Sequence, residues 1–171
     1  MVKTLAGAAF LLLSLGGCAG YSVGPIQPYY LRSVHSIAVP TFENRTYIPR
    51  IAVLVTDSVI KQFQQDGTYR IAGDDQADAI LKGEITRITR APARSLRGNV
   101  LATTEFSLAM RVRYSLVARR GGGKVLAPPR EVIGTTSFFV GADIASDEEQ
   151  ALPLAGEALA TNLVSQLSEG W

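Results

Sequence analysis

A single cysteine, Cys18, stands where a covalent modification would be made. It directly follows Leu15-Gly16-Gly17 and is the only cysteine in the 171 residues. Small residues beside a cut site suit a signal peptidase, and a cysteine placed directly after them is typical of bacterial lipoproteins. Several acyl chains hold a protein firmly on a membrane, whereas one chain holds it weakly. We therefore expect cleavage before Cys18 and a lipid anchor there, palmitate included. Ala19, in place of an aspartate, favours the outer membrane.

Arginine is the second residue type whose spacing could do chemistry. Residues 82–130 hold eleven basic residues against two acidic ones, whereas residues 131–171 hold seven acidic residues and no basic one. Guanidinium groups bind phosphate through paired hydrogen bonds. The candidate ligand-binding residues are Arg87, Arg90, Arg94, Arg97, Arg111 and Arg113. We expect the first four around one loop and the last two together on a strand face, because positions i and i+2 of a strand share a face.

Patterns that carry catalysis are missing from the sequence. It contains no nucleophile elbow, zinc-protease helix, Walker loop or dinucleotide-binding fingerprint. The single cysteine excludes an intramolecular disulfide and a Cys-rich zinc site, and the single histidine, His35, leaves no His cluster for a metal and argues against a Ser-His or Cys-His centre. The run Gly121-Gly122-Gly123-Lys124 lacks the strand-to-helix context of a phosphate loop, so we interpret it as a hairpin turn. We expect no catalytic residue, no metal, no cofactor and no enzymatic activity.

A targeting segment precedes the part of the chain that folds. Leu5–Leu15 is an apolar run behind Lys3, with the size of a signal-peptide core and too short to span a bilayer. Gly20–Tyr30 carries glycine and proline and is typical of an extended linker. We expect a lipoprotein signal peptide over residues 1–17, a lipid anchor and extended linker over 18–32, and a single α+β periplasmic domain over 33–171.

Hydrophobic periodicity predicts the elements of the first half of that domain. Apolar runs at Val34–Pro40 and Tyr69–Ala72 indicate short buried strands. Ile51–Gln65 has an apolar stripe at helical spacing and ends before Gly67, a suitable cap. Ala79–Thr89 indicates another strand, with a bulge or close approach at its glycine, Gly83.

The second half predicts a hairpin and a helix. Glu105–Arg119 alternates apolar and polar residues, as a strand buried on one face does. Arg90–Ala102 before it predicts a long loop. Pro128-Pro129 predicts a break before a partner strand at about Glu131–Val140. Ser146 and Glu149 have capping-box spacing before a final helix, in which Pro153 must either lie near the first turn or kink the helix.

These elements define the expected fold class. Antiparallel strands with two amphipathic helices can bury both sets of apolar residues when the helices share one side. We expect an α+β two-layer sandwich, with two helices packed on one face of a roughly four-stranded, mostly antiparallel sheet. Where the basic and acidic stretches meet, they are expected to neutralise each other in part.

Five segments in order give the mature chain a family resemblance. They are Gly17-Cys18-Ala19-Gly20-Tyr21-Ser22, Ile37-Ala38-Val39-Pro40-Thr41-Phe42-Glu43-Asn44-Arg45-Thr46, Ala77-Asp78-Ala79-Ile80-Leu81-Lys82-Gly83, Thr104-Glu105-Phe106-Ser107-Leu108 and Asp147-Glu148-Glu149-Gln150-Ala151. Together they resemble the lipopolysaccharide-assembly lipoproteins, LptE-like.

The resemblance implies a location, partners and a site. It implies a lipid-anchored protein of the cell outer membrane that faces the periplasm, with two helices on a four-stranded sheet. It implies that the domain plugs the β-barrel translocon LptD and helps deliver lipopolysaccharide to the outer leaflet. It implies a lipopolysaccharide contact at Arg97, in the loop before the long strand. A second basic position of the family has no counterpart here, because Ile144-Ala145-Ser146 precedes the acidic helix start.

Other interpretations of the arginines and of the function stay open at this point. The arginines could form a solvated face, or dock on acidic residues of a barrel wall. The chain could instead be a periplasmic scaffold or activator lipoprotein of another cell-envelope machine. Nucleic acid is not expected as a partner, because no aromatic residues for stacking interleave the arginines.

Overall fold

Two helices and six strands make up the described part of the chain. The structure is a computed structural model that describes residues 27–96 and 99–169. The strands are β1 (Ser36–Ala38), β2 (Glu43–Asn44), β3 (Arg70–Ile71), β4 (Ala79–Leu96), β5 (Asn99–Ala118) and β6 (Val125–Phe139), and the helices are α1 (Ile51–Asp66) and α2 (Ile144–Glu169). A turn of 3-10 helix, Tyr29–Leu31, precedes β1 and buries Leu31. Neither described helix has the length and apolar character needed to cross a membrane.

One mixed sheet contains all six strands. The long strands β4, β5 and β6 are antiparallel, each to the next. The short strand β1 runs parallel to β3 on one side and to β4 on the other, and β2 pairs in parallel with β4 further along. The α+β class is confirmed, but the expected four-stranded, mostly antiparallel sheet is wrong. The parallel part arises because α1 lies between β1 and β3, and a helical crossover returns the chain in the same direction.

Both helices pack on one face of the sheet. The alternation predicted for β5 is confirmed, since its inward residues are buried, namely Leu108, Met110, Val112, Tyr114 and Leu116. They form one cluster with the apolar residues of both helices. We call this side of the sheet the inner face.

Helix α1 follows the predicted apolar stripe. Ile51, Val55, Val59 and Phe63 are all buried. The helix ends at Gly67, whose φ is 74° and whose N–H donates to the Phe63 carbonyl over 3.0 Å. This left-handed conformation is easy for glycine and strained for other residues, so the predicted cap is confirmed.

Helix α2 starts earlier than the sequence indicated. The carboxylate of Asp143 accepts hydrogen bonds from the Ser146 hydroxyl (2.6 Å) and the Ala145 N–H (3.1 Å), and both bonds lower the pKa of Asp143. Asp143 therefore caps the helix, and the capping box predicted for Ser146 is wrong. Pro153 lies in the helix interior rather than in the first turn, where it has no N–H to donate to the Glu149 carbonyl.

The long strands run through segments predicted to be irregular. Most of the predicted loop at Arg90–Ala102 is strand, because β4 continues to Leu96 and β5 begins at Asn99. Pro128-Pro129 likewise lies inside β6 rather than ending it. Proline is tolerated at a sheet edge, where its missing N–H faces no neighbouring strand. β6 is such an edge, and its register shifts beside the prolines, between the partners of Tyr114 and Leu116.

Candidate functional site

The sheet face opposite the helices carries most of the predicted cations. We call it the outer face and define it by eight residues of β4, β5 and β6: Lys82, Glu84, Arg87, Arg111, Arg113, Ser115, Glu131 and Ile133. They alternate along the strands with buried residues of the inner face. In the part of the chain that the structure describes, no helix lies over the outer face.

Two arginines of the outer face stand directly opposite each other. A bulge after Ile85 brings Arg87 of β4 into register with Arg111 of β5. Like charges in directly opposed positions of a strand pair repel. Arg111 forms a salt bridge with Glu131 of β6, whereas Arg87 is exposed and has no ion pair among the described residues. An anion placed between the two guanidinium groups would remove this repulsion.

Two further cations flank a shallow groove of about 220 Å³ on the same face. Lys82 and Arg113 lie on neighbouring strands, and both are exposed without an ion pair to any described residue. Glu43 and Glu84 also line the groove, so its charge is mixed. Arg111 and Arg113 therefore share a face as predicted, but they differ in their partners. Arg111 is paired with Glu131, whereas Arg113 has no ion pair with a described residue.

The structure separates the arginines that were expected to surround one loop. Arg90 pairs with Leu108 in the register, which places it on the inner face. Its guanidinium lies 4.9 Å from the centre of the Phe106 ring and forms a salt bridge with Glu148 of α2. Arg90 therefore joins the sheet to the start of α2. The expected loop cluster is wrong here, because β4 remains a strand and its alternation sends neighbouring arginines to opposite faces.

Arg94 lies further along β4, in register with Glu105, to which it forms a salt bridge of 3.6 Å. The other site residues predicted from the sequence lie outside the described residues, namely Leu15, Gly16, Gly17, Cys18 and Arg97. Within the described ranges, no group of three or more His, Cys, Asp or Glu side chains could hold a metal ion.

Lys82 and Arg45 are two further cations of this region, outside the set of arginines predicted to bind a ligand. Arg45 follows β2 and forms salt bridges with Glu84 (2.9 Å) and Glu43 (2.8 Å). The hydrogen bond to Glu84 is the main reason that the pKa of Arg45 is raised. Lys82 could have been assigned to this face from the sequence, because Lys82 and Glu84 are two residues apart in a predicted strand and therefore share a face. The pairing of Arg45 depends on β2, which no periodic pattern indicated.

Asp78 connects the starts of β1 and β4 through hydrogen bonds. Its carboxylate accepts hydrogen bonds from the backbone N–H of His35 (3.0 Å), from that of Ser36 (3.0 Å) and from the Ser36 hydroxyl (2.9 Å). The N–H of His35 contributes most to a pKa of Asp78 below its ordinary value. The ionised form is therefore the one that the folded chain favours.

We expect Asp78→Asn to lower the free energy of unfolding at neutral pH by about 1 kcal/mol, a modest loss because the side chain is exposed. A pKa lowered by folding stabilises the fold above the unfolded-state value, about 3.9, and this contribution disappears as the pH falls through the folded-state value. Urea unfolding from pH 7 downwards should therefore show the two proteins converging in acid. Asp74→Asn, on the exposed turn nearby, is the control, and a constant difference at every pH would contradict the assignment.

Comparisons with known proteins agree with this architecture. The family model for lipopolysaccharide assembly, LptE, matches residues 34–169. No curated protein matches the chain by sequence. A minor lipoprotein from Acinetobacter baumannii has a similar solved structure, with a TM-score of 0.53 and 14% identity over 80% of this chain and 94% of that one.

Two other solved structures have the same fold. The PelC dodecamer from Paraburkholderia phytofirmans gives a TM-score of 0.52 at 17% identity, over 83% of this chain and 92% of that one. A hypothetical protein from Chlamydia trachomatis gives 0.52 at 10% identity, over 79% and 96%. At such identities these likenesses show the fold alone, whereas the family match covers almost all of the described elements. The chain belongs to the lipopolysaccharide-assembly family, LptE.

Proposed function

We propose that this chain is a lipid-anchored protein of the outer membrane that plugs an LptD-like β-barrel translocon and assists lipopolysaccharide assembly. Membership of the family supports the lipopolysaccharide role. The observation that carries the rest is the outer face, a sheet surface that no described helix covers and on which Lys82, Arg87 and Arg113 have no described ion pair. The function needs no catalytic group, and we propose none.

The charge of the outer face suits an anionic amphiphile. Lipopolysaccharide carries phosphate groups, and arginine binds phosphate with two parallel hydrogen bonds. The opposed pair of Arg87 and Arg111 offers two guanidinium groups at neighbouring positions, with a repulsion that a phosphate would relieve. Acidic side chains of a barrel wall would satisfy the same groups, so the face fits both the partner and its cargo.

The shape of the sheet suits insertion into a barrel. β4 has 18 residues, so it extends about 55 Å at the usual rise per strand residue. The hydrocarbon core of a bilayer is about 30 Å thick. The ribbon of β4 and β5 is therefore long enough to cross the lumen of a barrel from the periplasmic side. The predicted anchor at Cys18 would keep the domain beside such a partner.

We expect a tagged full-length chain, purified from detergent-solubilised envelopes of its own cells, to bring down a large β-barrel protein and lipopolysaccharide. The variant Arg87→Glu/Arg113→Glu should recover about tenfold less lipopolysaccharide, because each reversal replaces a charge-assisted hydrogen bond by a repulsion. Gel electrophoresis and a phosphate assay of the eluate measure both outcomes.

Arg50→Glu/Lys61→Glu is the matched control, since both residues are exposed on the helix side of the domain. An eluate without any β-barrel protein would contradict the proposal. Recovery of soluble or inner-membrane envelope enzymes in its place would favour the scaffold function. Equal lipopolysaccharide in all three eluates would remove the outer face from the binding site.

A further inference from the structure

The first described residues and the turn between β5 and β6 lie at the same end of the domain. The side-chain amide of Gln27 donates to the carbonyls of Val34 and Thr68, both over 3.3 Å. Beside them, the backbone N–H of Arg70 donates to the backbone carbonyl of His35, and the backbone N–H of Arg119 donates to the backbone carbonyl of Asp78. These bonds form a row across the sheet at the starts of β1, β3 and β4 and the end of β5. We call this end the base and define it as residues 27–36, 66–70, 78 and 118–125.

The β5–β6 turn gives the base a cluster of cations. Arg119, Arg120 and Lys124 surround Gly121–Gly123, whose φ values are 85°, 75° and 74° and around which there is open space. Among the described residues, none of these three cations has an ion pair, and Arg120 and Lys124 are exposed. No acidic residue occurs in the sequence between Tyr114 and Arg130. Because the glycines have no side chains, a flat surface could approach the turn closely.

Exposed tyrosines lie at the same end. Tyr29 is 83% exposed and Tyr30 is 46% exposed. The guanidinium of Arg32 lies 5.0 Å from the centre of the Tyr29 ring. An aromatic ring with a polar tip beside a basic group is typical of residues at a membrane–water interface.

The carboxylates of the base are satisfied by uncharged donors. Asp78 accepts from His35 and Ser36, and Asp66 accepts from the Thr68 N–H and the Ser168 hydroxyl. They therefore leave the cations of the β5–β6 turn without an acidic partner, although the Arg119 side chain donates to the carbonyl of Ala77 over 2.9 Å. Asp74-Asp75 follows β3, three strands away from β5 and thus about 14 Å from it. That separation exceeds the screening length of about 8 Å at physiological salt.

The length of chain before the fold limits how far the base can lie from the anchor. Gln27 is nine positions after Cys18 in the sequence, so the two residues can be at most about 32 Å apart. The other end of β4 is about 55 Å from the base, beyond that reach. Of the two ends of the domain, the base is therefore the one that a lipid on Cys18 holds beside a membrane.

We propose that, while the chain is not inserted in a barrel, the base lies on the anionic phospholipid headgroups of the leaflet that holds the acyl chains of Cys18. The positioning of the base rests on the lipidation included in the proposed function, whereas the affinity of its surface does not. The cations of the β5–β6 turn bind the headgroup phosphates, and Tyr29 and Tyr30 enter the interface beside them. In this state, which precedes insertion into a barrel, the β4–β5 ribbon points away from the headgroups on which the base lies.

The test uses the mature chain, residues 18–171, with Cys18→Ala, which contains every described element and carries no lipid. It should bind vesicles of phosphatidylglycerol and phosphatidylethanolamine in a flotation assay and bind vesicles of phosphatidylcholine far less. Arg120→Gln/Lys124→Gln should weaken binding to the anionic vesicles by about tenfold or more. Each basic residue near an anionic lipid surface contributes strongly to the affinity for that surface. Raising the salt concentration should weaken binding as well.

Arg50→Gln/Arg94→Gln removes the same number of positive charges at exposed positions far from the base, before the start of α1 and near the far end of β4, and should retain most of the binding. An equal loss in both double variants would mean that net charge alone drives binding, which overturns the proposal, as would equal binding to neutral vesicles or none to anionic ones. Circular dichroism confirms that each variant is folded. Because the assay contains no barrel protein, lipopolysaccharide or acyl chain, its failure is distinct from a failure of the proposed function.

Discussion

Replacing Gly134 with alanine is expected to lower the free energy of unfolding by about 3 kcal/mol or more, at the upper end of overpacking substitutions. Gly134 lies on β6 where α2 crosses it. A Cβ there would lie 2.2 Å from the carbonyl oxygen of Ala155 and 2.4 Å from the backbone nitrogen of Leu159. These are backbone atoms of a helix, so the clash cannot be relieved by rotating a side chain. The helix itself would have to move off the sheet.

The close contact at Gly134 also has a polar component. The side-chain amide of Asn162, on α2, donates to the carbonyl of Ile133 over 2.8 Å. This bond satisfies an acceptor on the edge strand, and displacement of the helix would break it. For a chain of this length, the expected loss corresponds to a fall in Tm of about 6–12 °C.

Gly73→Ala is the matched control for this substitution. Its Cβ would meet only a carboxylate oxygen of Asp75, at 3.0 Å, and that side chain is exposed and can turn away. Urea unfolding of the mature chain should show a large fall in midpoint for Gly134→Ala and almost none for Gly73→Ala. Similar midpoints for the two variants would show that α2 does not approach β6 as closely as described.

Removing the Phe42 ring is expected to cost about 3–5 kcal/mol, the usual range for a buried phenylalanine. Phe42 is 3% exposed and lies over Gly83 of β4, where an added Cβ would be 2.5 Å from two ring carbons. Its N–H donates to the Thr56 hydroxyl of α1 over 3.0 Å. Phe42 therefore connects the segment before β2 to both the helix layer and the sheet. The close approach predicted at Gly83 is confirmed.

A double-mutant cycle tests this contact directly. Gly83→Ala alone should destabilise the fold by about 1–3 kcal/mol through overpacking. In the Phe42→Ala background the same change should cost far less, because the new methyl group enters the space that the ring has left. The interaction free energy should thus be at least about 1 kcal/mol. Additive effects of the two substitutions would contradict the packing of the ring on Gly83.

Much of the fold could be predicted because burial follows local periodicity. The alternation along β5 and the apolar stripe of α1 each identify one side of a single element, and both are confirmed. The strand count and the length of β4 and β5 could not be predicted in the same way. β2 has only two residues, too few for any period, and Arg90–Ala102 has the composition of a loop. Most of its described residues remain in strands because β4 and β5 pair across the hairpin, from Arg90 with Leu108 to Leu96 with Asn99.

The candidate site was predicted only in its residue types. The sequence singled out arginines that could bind phosphate, but it did not separate those that are paired from those that are not. Arg90 is joined to Glu148 of a distant helix, and Arg111 is joined to Glu131 across a strand pair. The expected partial neutralisation of basic by acidic stretches is confirmed in these two pairs. Both pairs depend on register. The bulge after Ile85 shifts β4, and with it Arg90, against β5, whereas the positions of Arg111 and Glu131 follow from the pairing of β5 with β6.

The sequence by itself determined the predicted lipidation signal at Cys18, the apolar faces of the main elements and the α+β class, because these depend on neighbouring residues in the chain. Only the tertiary structure decided that Arg87 and Arg113 are uncommitted and that the outer face lies opposite both helices. It alone also placed the β5–β6 turn at the same end of the domain as the exposed tyrosines. These features depend on contacts between residues that are far apart in sequence. The charge available to a partner is the charge that those contacts leave unpaired.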